Sequence, residues 1–235
     1  CYIITPQEIS RLRPTVIYTA SKFLNDTIIS TTLRLFQHAT PFRHTRHHLP
    51  SYFFTTAYAN PARTAQFFQD PNTRRNHYRP PLEAHLLLIP ICWERHWYLM
   101  IRRGHNYTYQ DSNDHEPTPD GTKLAHLHIV QQTKEHVTAC TRQGPLTPSN
   151  CFKEKYGVNC GVFLLLHAYV QLFHPQPEQY QWTDQPHNIE FTFRHFILTC
   201  LRTNIVPNLF PQQTPTPRIT SAQPHMEPPP SPPYR

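Results

Sequence analysis

From Cys160 to Phe173 the chain reads Cys-Gly-Val-Phe-Leu-Leu-Leu-His-Ala-Tyr-Val-Gln-Leu-Phe, apolar nearly all the way round any helix drawn through it. Such a segment has no face to offer water, so it predicts a central buried helix that the other elements must surround. It falls short of the roughly 18 consecutive apolar residues that cross a bilayer. Tyr156-Gly157-Val158-Asn159 precedes it, a turn-forming stretch that sets Cys160 at the first helical turn. A thiol there faces unpaired backbone N–H groups and the positive end of the helix dipole, and both favour the thiolate. A buried structural cysteine fits the same position, so this segment alone leaves nucleophile and packing residue both open.

The rest of the composition narrows the setting. At 235 residues the chain fits one medium domain plus a tail. The 22 Lys and Arg against 15 Asp and Glu give +7, but the excess is spread with no long basic run. That pattern describes a solvated surface suited to acidic protein faces and argues against a nucleic-acid partner. Six cysteines (Cys1, Cys92, Cys140, Cys151, Cys160, Cys200) stand far apart with no CxxC pair. Neither a zinc site nor a disulfide framework is expected, and a reducing compartment is. With no membrane span and no signal peptide, the expectation is a soluble intracellular monomer, in nucleus or cytoplasm. A chain that opens on Cys1 and not Met is expected to be a piece of a longer one.

Periodicity predicts the elements. Thr5–Leu12 reads as a turn or one-turn helix and Thr15–Tyr18 as a short extended piece. Asn25 or Asp26 caps a helix whose apolar face is Ile28, Ile29, Leu33, Leu35 and Phe36, with Phe23 and Leu24 stapling its start. Residues 38–50, with His44, His47 and His48, read as a mobile polar loop and not a metal site, because no Cys or carboxylate stands nearby. Ser51–Tyr58 reads as a helix and 60–81 as loop. His85–Pro90 is a buried strand, His96–Ile101 and Tyr107–Asp111 a hairpin, and Thr122–Val137 a helix. Residues 138–150 read as an irregular connection with a strand near Val137–Cys140, and 188–204 as a last helix. The folded domain is expected over 1–208. The Pro-rich 209–235, ending Pro-Pro-Pro-Ser-Pro-Pro-Tyr-Arg, is expected to be a disordered tail.

The hairpin brings chemistry together. His96 opens one strand and Asp111 closes its antiparallel partner, so both lie at one end of the hairpin. Cysteine catalysis needs an imidazole within reach of the sulfur and a carboxylate to hold that imidazole's tautomer. His96, Asp111 and Cys160 are therefore a candidate triad.

Four blocks in this order resemble the ubiquitin-like-protein-specific (Ulp/sentrin-specific) cysteine protease family. They are Phe23-Leu24-Asn25-Asp26-Thr27-Ile28-Ile29, Leu87-Leu88-Ile89-Pro90 through His96-Trp97-Tyr98-Leu99, Tyr109-Gln110-Asp111-Ser112, and Gly157-Val158-Asn159-Cys160-Gly161-Val162-Phe163. The resemblance spans about residues 1–205. It implies an α+β, papain-like fold of the Ulp type: a central mixed sheet flanked by helices, with the nucleophile at the N-terminus of the buried helix. It implies a peptidase that cuts after the C-terminal Gly-Gly of a ubiquitin-like modifier, SUMO-like above others, with no metal or cofactor. Cys160 is then the nucleophile, His96 the general base and acid, and Asp111 its orienter. Trp97 lines the channel for the Gly-Gly tail, unless it is a core aromatic beside the strand; Trp93 is a packing or surface residue. One departure matters. The family's oxyanion Gln, six residues before the nucleophile, is Glu154 here, and an ionised carboxylate cannot donate. Either Glu154 is held protonated, or another donor replaces it, or catalysis is crippled. Beside the isopeptidase stand two alternatives: an impaired binding module, and an adenain-like viral or mobile-element endoprotease.

Overall fold

The computed structural model describes residues 4–13, 23–68, 84–112, 122–139, 144–149, 151, 153, 158–181 and 188–210, the backbone alone over 122–127. The extended piece expected at Thr15–Tyr18, the oxyanion position Glu154 and the tail from 211 lie outside the described residues.

The helices are α1 (Pro6–Leu12), α2 (Asp26–Ala39), α3 (Phe53–Ala59), α4 (Thr122–Thr138), α5 (Cys160–Phe173) and α6 (Ile189–Thr203). The strands are β1 (Arg46–His48), β2 (Leu86–Trp93), β3 (His96–Arg103), β4 (Asn106–Asp111) and β5 (Leu146–Pro148). They form one mixed sheet in the order β1-β2-β3-β4-β5: β2, β3 and β4 pair antiparallel, and each edge strand joins parallel. β2 is apolar on both faces, as a strand covered on two sides must be. Leu86 and Leu88, with Trp97, Leu99 and Ile101 of β3, turn to α2, α5 and α6. Leu87, Ile89 and Ile91, with Tyr98 and Met100, turn to α3 and α4.

All fourteen residues of α5 are buried, as the unbroken apolar run requires. Its C-terminal end is held by the chain around β1. Arg46 donates to the carbonyls of Gln171 (3.0 Å), His174 (2.6 Å) and Pro175 (3.0 Å), and Thr40 Oγ1 donates to Leu172 O at 2.5 Å. These are the carbonyls a helix end leaves without intrahelical partners, and a cation there suits the dipole. At the other end Gly161 is tightly packed. A Cβ there would sit 3.0 Å from Leu24 Cβ and 3.2 Å from Trp97 Cδ1, so its absence lets α5 approach α2 and β3.

Three expectations need correcting. Within 60–81, expected as loop, Pro61–Phe67 is a 3₁₀ helix with Pro in its first turn, and residues 69–81 lie outside the described residues. Residues 38–50 are not a polar loop throughout: Arg46–His48 is a strand paired parallel with Leu86–Leu88, and His47 and His48 are buried. Burial, then the neighbouring positive charges, holds His48 down at about 3, so it is neutral and packs like an apolar ring. Three residues are too few to show a period of two. Likewise Leu146–Pro148 is a strand beside β4, while Val137 belongs to α4. Among the described residues no cluster of three or more His, Cys, Asp or Glu side chains could hold a metal ion, and no helix is long and apolar enough to cross a membrane.

Candidate active site

The site is built at one end of the β2–β3–β4 meander. Trp93 pairs with His96 across a two-residue turn, Glu94-Arg95, with φ of 47° and 64°. Positive values at both positions are what a I′-type hairpin demands, although Asn-Gly would adopt them with less strain. The tight turn starts β3 abruptly at His96. Asp111 ends β4 opposite Tyr98, two residues further along β3. His96 Nε2 then meets Asp111 Oδ1 at 2.7 Å. The hairpin geometry expected from the sequence is present.

Cys160 opens α5 with no exposed surface, and its thiol donates to Arg95 O at 3.9 Å, the carbonyl immediately before His96. The thiol at the start of α5 thus lies against the backbone that leads into His96, and the His96 ring meets the carboxylate at the end of β4. Tyr98 packs edge-on against the His96 ring, centroids 4.5 Å apart. Burial, and after it the Asp111 carboxylate, pushes the Tyr98 phenol far above its usual range, so it stays neutral beside the imidazole. The segment before Cys160 grips the end of β4: Cys151 Sγ and Lys153 Nζ donate to Asp111 O at 3.0 and 2.9 Å.

Trp97 is 3% exposed, and its indole N–H donates to Leu24 O at 2.9 Å. It is a core residue and also lines a cavity of about 440 Å³ with Phe23, Leu24, Asn25, Cys92 and Arg95. Trp93 packs edge-on to Phe54 and tilted against the half-exposed Tyr58. The structure also adds Arg194, which sequence reasoning missed. It is 1% exposed and bonds Asn159 Oδ1 through Nε (3.1 Å) and Nη2 (2.7 Å). A signal was present in the sequence: Arg194 occupies a core position of α6, beside Phe193 and one turn before Ile197 and Leu198.

A thiol at a helix N-terminus beside a histidine–carboxylate pair, on a mixed sheet with helices on both faces, marks the class of cysteine peptidases. Residues 22–203 match the Ulp1 protease family, C-terminal catalytic domain. The fold is similar to SUMO protease Ulp1 with its catalytic cysteine oxidised to a sulfinic acid, with TM-score 0.65, 18% identity, and 88% of this chain and 86% of that one covered. It is similar to the C-terminal Ulp1 protease domain in complex with Smt3, the yeast ortholog of SUMO, with TM-score 0.59, 17% identity and 79% of each chain covered. It is also similar to a de-sumoylating protease, with TM-score 0.54, 16% identity, and 86% and 85% covered. The sequence matches no curated protein. This chain belongs to the Ulp1 protease family, and its fold is the α+β fold of that family.

Proposed function

We propose that residues 1–208, joined by Leu209 and Phe210, which are held against Tyr169, form a cysteine isopeptidase that cuts after the Gly-Gly of a ubiquitin-like, SUMO-like modifier. The observation that carries this is the 2.7 Å bond of His96 Nε2 to Asp111 Oδ1 at the hairpin end where Cys160 Sγ rests. With Nε2 committed to the carboxylate, Nδ1 serves the sulfur. Its removal of the thiol proton leaves a thiolate, which attacks the glycine carbonyl carbon. The imidazolium then protonates the leaving amine of a lysine side chain or extension, and a thioester forms. Water, deprotonated by the same imidazole, releases the modifier's carboxylate and restores the thiol. Trp97 and Phe23 bound the cavity beside this point, where bulky rings favour a tail without side chains.

Glu154 supports a second reading, a member that binds modifiers with impaired turnover. A modifier bearing a C-terminal propargyl warhead separates them: an adduct lost in Cys160→Ala supports the peptidase, and binding without adduct supports the module. Indifference to every Gly-Gly modifier points to an endoprotease of different substrate. Glu154→Gln is expected to raise kcat; loss of one such oxyanion donor typically costs about 10²–10³ in rate. Unchanged or lower turnover removes Glu154 from the oxyanion account.

A further inference from the structure

Asn159 occupies the N-cap position of α5, the residue directly before the candidate nucleophile, and Asn is a preferred N-cap residue. It does not cap. Its backbone lies at φ −104°, ψ 4°, outside the extended conformation that aims a cap side chain at the helix, and it makes no side-chain cap bond. The oxygen that would do so, Oδ1, instead accepts from both Nε and Nη2 of Arg194. Arg194 reaches this point from α6, and two further contacts fix the same corner: Nη1 donates to Arg11 O at 2.6 Å and Nη2 to Val158 O at 3.4 Å. The guanidinium therefore joins α6, the end of α1 and the last two residues before Cys160.

A buried arginine is retained against a substantial desolvation cost, so its hydrogen bonds must do something an apolar side chain would not. Its planar fork is suited to holding one oxygen from two directions. The oxygen it holds is the natural competitor for the first-turn N–H groups of α5, the groups that stabilise a thiolate at Cys160 and an oxyanion formed on it. We propose that Arg194 is a positioning residue for catalysis: it pulls Asn159 away from the N-terminus of α5, so that the first-turn N–H groups face the sulfur and the developing oxyanion. The inference rests on the peptidase reading for its catalytic consequence, but not for its effect on the thiol.

The test follows Cys160 itself. The pH dependence of its alkylation by iodoacetamide, read on the Cys160 peptide by mass spectrometry, gives the thiol pKa without any modifier. Arg194→Met should raise that pKa by about one unit. With a cleavable modifier, kcat should fall about 10–100-fold with KM within twofold. Asn159→Asp keeps an acceptor for Arg194 and should stay close to the parent chain in both measurements. Asn159→Ala removes the competitor, so in the Arg194→Met background it should restore part of the lost kcat. A folded Arg194→Met with unchanged alkylation profile and kcat overturns the inference. So does a double variant no better than Arg194→Met alone. If Arg194→Met does not fold, Asn159→Ser carries the test: shorter and a good cap, it should raise the thiol pKa where Asn159→Asp does not, and equal profiles overturn the idea. A shifted alkylation profile in a chain that processes no Gly-Gly modifier would leave the positioning role standing and defeat the functional reading.

Discussion

Three described α-helices of this protein begin after an asparagine, and two of these, Asn25 and Asn159, do opposite things. Asn25 sits extended before α2, and its Oδ1 accepts from the backbone N–H of Ile28 at 3.2 Å; its amide also donates to Glu8 Oε1 at 2.8 Å. That bond helps hold the Glu8 carboxyl at about 2, after the larger contribution from the Thr5 backbone N–H. α2 starts as a stable helix should, with its first turn closed by a side chain. Asn159 before α5 has the same chemistry and gives its oxygen to Arg194. At one helix start the asparagine oxygen closes the first turn, and at the other it is taken by a guanidinium from α6. The residue type predicts a helix start at both places, and only the partner tells which kind it is.

The comparison can be pressed hardest at the contact of Arg194 with Asn159. Arg194→Met releases the Asn159 oxygen to the first turn of α5 and is expected to lower kcat by about 10-fold or more and destabilise the fold by roughly 1–3 kcal/mol, measured by steady-state kinetics and urea unfolding. Parent-like kinetics would make the two helix starts equivalent. Acid should reveal the next difference. His167 on α5 is fully buried and held at about 3, first by burial and then by Lys153, whereas His38 on α2 is exposed. The unfolded chain binds a proton at His167 below about 6.5 that the folded chain refuses. Its contribution is therefore complete above that pH and is lost progressively down to about 3, reaching about 2 kcal/mol at pH 5. His167→Met should flatten the stability profile between pH 7 and 5 by that amount, and His38→Gln should not.

A smaller effect is expected at Gly161. Alanine is the better helix former by about 1 kcal/mol, but its Cβ must displace Leu24 and Trp97. Net destabilisation of about 1 kcal/mol is expected, and KM should rise as the cavity beside Trp97 narrows. The smallest effect belongs to Asn25→Ala, about 1 kcal/mol of stability with the Cys160 alkylation profile unchanged. A shifted profile comparable to that of Arg194→Met would erase the contrast.

What was legible in the sequence follows the same division. Long periodic or fully apolar segments, α2, α5 and the β2–β3–β4 meander, were readable because their patterns repeat enough to exclude alternatives. The hairpin also carried the His96–Asp111 pairing, since antiparallel register is local. β1 and β5 were not readable: each is three residues held by a neighbour far off in sequence, and their side chains resemble loop. Arg194 stood in plain view as a charge at a core position. Its partners, Asn159 and Arg11, are 35 and 183 residues away, and no local pattern connects them.

That long reach bears on how the molecule is made. Arg194 belongs to the last helix described and Arg11 to the first, so a chain growing from its N-terminus presents Cys160 well before the piece that finishes its surroundings exists. Until α6 folds back across α1, the Arg194 guanidinium is not in place at Asn159, so the surroundings of Cys160 are completed only once the last described helix has formed.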